Sequence, residues 1–154
     1  MVLNGKYLRA VLGKFKLWEW SNYVKWSVEG AFEFIRKTEF PECCSRLKCH
    51  YFYDDLDACR ALFAYDWGEE PEQVQNQIHL FEVELDAQSV ERRDMRLYDQ
   101  AYDAMKERED IVTVLDRARS YFSGEQTDEP VWEIMSDRPA RAVRDISEEL
   151  RSAK

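Results

Sequence analysis

The stretch EPVWEIM, residues 129–135, holds a carboxylate in an unusual setting. In a strand the side chains alternate, so Trp132 and Ile134 share one face while Val131, Glu133 and Met135 share the other. A charge between two apolar residues on one strand face is either a solvated edge or a group aimed into a cleft. In a cleft, a carboxylate can stabilise positive charge as it develops, as glycosidase carboxylates do beside an oxocarbenium-like centre.

Other residue types that carry chemistry are sparser. Cys43, Cys44, Cys49 and Cys59 form no CxxC pair and fit no standard zinc spacing, and His50 and His79 are too scattered to complete a metal site. Reduced thiols in a reducing compartment are the expectation. Asp54, Asp55 and Asp57 could imitate a cation site, but helix capping accounts for them more simply. Arg92, Arg93 and Arg96 could touch phosphates, yet their acidic neighbours favour a solvated helix.

The elements that must position these groups follow from periodicity. A strand is expected near Tyr7–Val11. From a cap at Ser27, the residues Val28, Ala31, Phe32 and Ile35 make a helical stripe that Pro41 stops. Arg46–Tyr53 reads as a strand, and Asp54 or Asp55 caps a helix through Phe63 that ends at Trp67-Gly68. EEPEQVQNQ reads as a polar connector. IHLFEVEL alternates, with Phe81, Val83 and Leu85 inward and Glu82 and Glu84 outward. Val90–Phe122 reads as two helices divided near Asp110. Gly124 opens a loop, and VWEIM and ARAVRDI form two last strands before a short charged helix or frayed tail at 147–154. Strands spread among helices give an α+β class.

The chain of 154 residues suits one domain, 1–154, and its aromatic content excludes a disordered polymer. A net charge of −9 argues against a protein that coats nucleic acid. No apolar run approaches the roughly 20 residues of a membrane span, so a soluble, cytoplasmic protein is expected, with no membrane partner.

Three stretches together resemble the ADP-ribosyltransferase-like superfamily, in particular a small bacterial family with a Pro-Ser-Arg-type strand opening. They are EGAFEFIRKTEFPECCSRLKCHYFYDDLDACRAL, IHLFEVELDA and YFSGEQTDEPVWEIMSDRPARAVRDI, in that order over residues 27–146. The resemblance implies split antiparallel β-sheets around an NAD cleft, with peripheral helices. It also implies a triad: Arg9 from KYLRAV, Ser45 at the second strand opening, and Glu133 as the key glutamate. Tyr51 would offer a flat face to nicotinamide, and with Ser45 six residues away both would share a strand face. Glu133 and Ser45 are then the catalytic pair; Arg9, Ser45 and Tyr51 bind NAD, which is consumed as substrate without a metal. Arg9 would hold the pyrophosphate or the adenosine ribose.

Two functions are therefore expected. One is an NAD-dependent mono-ADP-ribosyltransferase or NAD-cleaving effector of bacterial or phage origin, acting on a macromolecular acceptor, protein in preference to nucleic acid. The other is a catalytically inactive acidic protein of the same fold that inhibits a basic macromolecular partner. The absence of an initial histidine and the presence of Val131 two residues before Glu133 are the departures from the family pattern that favour the second.

Overall fold

The computed structural model describes residues 20–151. The strand expected near Tyr7–Val11 lies outside them, and so does Arg9. The first helix, α1 (Trp20–Glu39), runs well upstream of Ser27, whose hydroxyl donates to the Tyr23 carbonyl inside the helix instead of capping it. Its stripe of Val24, Val28, Phe32 and Ile35 is fully buried, the spacing that one helix face requires.

The chain continues through β1 (His50–Phe52), α2 (Leu56–Trp67), the single turn α3 (Glu72–Gln75), β2 (Phe81–Glu84) and β3 (Val90–Asp94). It then forms α4 (Met95–Lys106), α5 (Ile111–Ser123), β4 (Trp132–Ser136), β5 (Arg141–Asp145) and α6 (Ser147–Arg151). Of the two endings read from the sequence, the helix is the one that forms, with Ser147 and Leu150 buried. Caps follow composition. Asp55 accepts from the Asp57 amide, Asp94 from Arg96 and Asp110 from Val112, each starting a helix. Gly124, at φ +84°, closes α5 in the left-handed conformation that glycine adopts without penalty.

The strands form two antiparallel sheets, one of three strands in the order β1-β4-β3 and one of β2 with β5. The α+β class holds in this form. Helices α1, α4 and α5 pack together over one face of the three-stranded sheet, and Met135 of β4 joins their core. Phe32 is the hub, with Tyr98 and Tyr121 edge-on at 5.3 and 5.4 Å.

Two sequence expectations need correction here. Residues 90–94 form a strand rather than the start of a helix, paired to β4 along its whole length. The strand expected from Arg46 begins only at His50, because residues 46–48 make a turn in which the Lys48 and Cys49 amides donate to the Ser45 carbonyl. Strand parity therefore does not relate Ser45 to Tyr51.

Candidate functional site

The central strand β4 carries Glu133, which is only 3% exposed. It lies on the helix-facing side with Met135, so it is not a solvated edge. On the opposite side Ile134 is buried, and the guanidinium of Arg92 covers the Trp132 ring at 4.1 Å while pairing with Asp54 at 3.0 Å.

A carboxylate in such surroundings needs a cation and hydrogen bonds. Arg46 supplies the first: its Nη1 donates to Glu133 Oε1 and, at 2.7 Å, to the Tyr121 hydroxyl. The Tyr121 hydroxyl lies 2.6 Å from the same Oε1, to which it can donate. On the far side, Arg46 Nε donates to Glu29 Oε2 at 3.3 Å. The guanidinium stands 4.2 Å from the centre of the Tyr98 ring, 5.2 Å from those of Tyr51 and Tyr121, and 5.9 Å from that of Phe32. Arg46 is thus boxed by four aromatic rings and two carboxylates, with its side chain 8% exposed.

The segment before β1 is fixed from every side. Glu29, Glu33 and Arg36 form a polar stripe on α1 beside the apolar one. Arg36 donates to the carbonyls of Pro41 and Cys43, each at 3.2 Å, and pairs with Glu33. Glu33 accepts from the Ser45 hydroxyl at 2.8 Å, and the Cys44 amide donates to Glu91 Oε1 at 2.6 Å. Tyr51 donates from its hydroxyl to the Arg46 carbonyl at 2.6 Å. Behind β4, Asp94 is almost wholly buried. Its carboxylate takes the Thr127 amide and hydroxyl and the amides of Val131 and Arg96, at 2.7–3.0 Å. That clamps the loop leading into Glu133.

The electrostatics follow from this packing. Burial opposes the Arg46 charge, but Tyr121, Glu133 and Glu29 more than offset it and hold its pKa well above the ordinary value. Burial raises the Tyr121 phenol, as does Glu133, so it remains a proton donor. Asp99 on α4 is raised, first by burial and also by Asp103 and Glu133. Burial tends to raise Asp94, but its hydrogen bonds from Thr127, Arg96 and Val131 prevail and lower it. The Glu33 carboxyl is lowered too: burial opposes the shift, and the bonds from Arg36 and Ser45 outweigh it. Burial pushes the Cys44 thiol up to about 12 and Cys49 to about 11, so both stay protonated and poorly nucleophilic at neutral pH.

The expected site residues are distributed as follows. Glu133 sits at the centre of the charged cluster. Ser45 is one residue from Arg46 but spends its hydroxyl on Glu33, so its link to Glu133 runs through Arg46. Tyr51 shares the cluster and also lines an open depression with Cys49, His50, Phe52, Pro139 and Ala140. The four cysteines are free thiols, and among the described residues no group of three or more His, Cys, Asp or Glu side chains is arranged to hold a metal ion. No helix among the described residues is long and apolar enough to cross a membrane. Sequence reasoning missed Arg46, Tyr121, Glu29 and Asp94. Arg46 was visible only as the first residue of the expected strand Arg46–Tyr53, and Glu29 only as a polar position one residue past Val28.

Fold and site define an α+β protein with a buried arginine–glutamate–tyrosine cluster between a helical layer and a three-stranded sheet. Residues 6–148 match the family model described as "Protein of unknown function (DUF2441)", and the chain belongs to that family. No curated protein and no solved structure matches it.

Proposed function

We propose that the protein cleaves NAD at the nicotinamide–ribose bond and transfers ADP-ribose to a macromolecular acceptor, a protein in preference to a nucleic acid, with Glu133 as the key carboxylate. The observation that carries this reading is the one-sided bonding of Glu133. Arg46 and Tyr121 both bond to Oε1, whereas Oε2 accepts no hydrogen bond among the described residues. Oε1 is anchored and Oε2 remains as an acceptor for a ribose hydroxyl, through a charge-assisted bond.

Charge balance supports the same reading. Arg36 pairs with Glu33 and Arg93 with Glu91, so among the described residues the boxed Arg46 alone faces Glu29 and Glu133. Two carboxylates against one guanidinium leave a surplus of negative charge. That surplus favours a pyridinium leaving group and the ribosyl cation that forms as it departs. Tyr51, at the margin between this cluster and the open depression, offers its ring to nicotinamide. The two separate antiparallel sheets fit the split arrangement expected of an NAD cleft.

Incubating the pure protein with NAD and measuring free nicotinamide tests the reading. Glu133→Gln keeps an acceptor for Arg46 and Tyr121 and removes the charge. Turnover should fall about a hundredfold or more, as when a group stabilising transition-state charge is lost, with NAD affinity little changed. Equal turnover in parent and variant would remove Glu133 from the chemistry.

A further inference from the structure

We propose that Arg46 is the positioning residue for Glu133, and that Glu29 fixes Arg46 from the opposite side, so that a change on α1 is felt at the β4 carboxylate. This deepens the reading of Glu133 given above and rests on it.

The geometry separates this arrangement from an ordinary buried ion pair. An arginine that only neutralises a carboxylate does so best with its planar fork across both oxygens. Here the fork is divided. Nη1 donates to both Glu133 Oε1 and the Tyr121 hydroxyl, and Nε donates to Glu29. Dividing it leaves Oε2 of Glu133 without a hydrogen bond among the described residues, which a bidentate pair would not.

The guanidinium is also held far more firmly than charge compensation needs. Four rings border it, and the Tyr51 hydroxyl donates to the backbone carbonyl of Arg46. The residues just before it are tied to Arg36, Glu33 and Glu91. A buried ion pair is often replaceable by apolar side chains with no loss of stability, so this much fixation serves position. Position matters because a misplacement of about 1 Å can cost a hundredfold in rate.

Three variants of the full chain test the relay: Arg46→Lys, Arg46→Ala and Glu29→Gln. Lysine keeps the charge and cannot divide a fork, so Arg46→Lys should lower kcat by roughly ten- to a hundredfold with KM little changed. Methylguanidinium should restore part of the kcat of Arg46→Ala and leave the parent unaffected. Glu29→Gln, which alters no group touching Glu133, should lower kcat in the parent background and add nothing to Arg46→Ala. Parental kcat in both Arg46→Lys and Glu29→Gln, with only the unfolding midpoint lowered, would overturn the proposal.

A second measurement does not depend on turnover. In protein labelled with ¹³C at glutamate carboxyls, the Glu133 signal is assigned by its loss in Glu133→Gln. It should shift on Glu29→Gln and should not shift when Glu29→Gln is added to Arg46→Lys. If the parent releases no nicotinamide, the proposed function falls, and the carboxyl signal alone decides the relay: a shift that requires Arg46 supports it, and an unmoved signal overturns it.

Discussion

Strands β4 and β5 are each five residues long, each antiparallel to a partner, and each mixes charged with apolar residues. Yet Glu133, Ile134, Met135 and Ser136 of β4 are buried, and every residue of β5 is exposed. The difference lies in what is stacked on them. Three helices cover the sheet containing β4, and their core residues reach zero exposure. The two-stranded sheet is held together across its ladder by exposed ion pairs, Glu82 with Arg144 and Glu84 with Arg141, with His79 near Asp145 at 3.5 Å. Helix α2 on that side has no buried residue, and Arg60 ties it to α6 through the Glu149 carbonyl. One region is therefore stabilised by burial and specific polar contacts, and the other by surface pairs that water and salt weaken.

Deleting an aromatic ring in each region should expose the contrast most strongly. Phe32 touches Tyr98, Tyr121 and Phe122 and is fully buried, so Phe32→Ala should cost about 3–5 kcal/mol. Phe81 in β2 is 49% exposed, and Phe81→Ala should cost under about 1 kcal/mol. Urea unfolding of both variants checks this. Similar losses would show that the two-stranded sheet has a core of its own.

The next effect concerns a buried polar group. Asp94 accepts four hydrogen bonds, and Asp94→Asn turns one acceptor oxygen into a donor facing donors. The expected loss at neutral pH is about 2–4 kcal/mol. The sign of its pH dependence follows from the lowered pKa. A depressed carboxyl stabilises the fold at pH values above its unfolded pKa, about 3.9. That contribution is lost as pH falls through the still lower folded value. The gap between parent and Asp94→Asn should therefore be constant near neutrality and narrow below about pH 4. A gap that does not change down to pH 2 would show that Asp94 acts only through shape.

These two residues also mark what the sequence could and could not convey. The stripe containing Phe32 was legible because apolar burial on a helix repeats with the helix. The Asp55 cap and strands β4 and β5 were legible for similar local reasons. Strand β3, VERRD, was not, because its charges are satisfied by partners distant in the chain. Arg92 lies over Trp132, and Glu91 accepts from the Cys44 amide, 47 residues earlier in the chain. Arg46 and Asp94 are hidden in the same way: a buried polar residue has no periodic signal, and its partners lie 37 residues away at Val131 or 87 at Glu133. Glu133 stood out because β4 is otherwise apolar around it, whereas Arg46, expected at the head of a strand, begins a turn instead.

The smallest effect belongs to the exposed ladder. Glu84 and Arg141 face each other in register, and the guanidinium Nε reaches Glu84 Oε2 at 3.1 Å. In a low-dielectric core such a contact would be strong, but these side chains are 61% and 74% exposed. Water screens the attraction, and fixing two long side chains costs rotamer entropy. A double-mutant cycle with Glu84→Gln and Arg141→Gln should therefore give a coupling of about 0.2–1 kcal/mol at low ionic strength. It should vanish near 1 M salt, where the screening length is about 3 Å. The Asp94→Asn loss should be nearly salt-independent, since its partners are mostly backbone amides out of reach of bulk ions. A Glu84–Arg141 coupling that survives 1 M salt would mean that this face of the ladder is covered and that the two regions are less different than their exposures indicate.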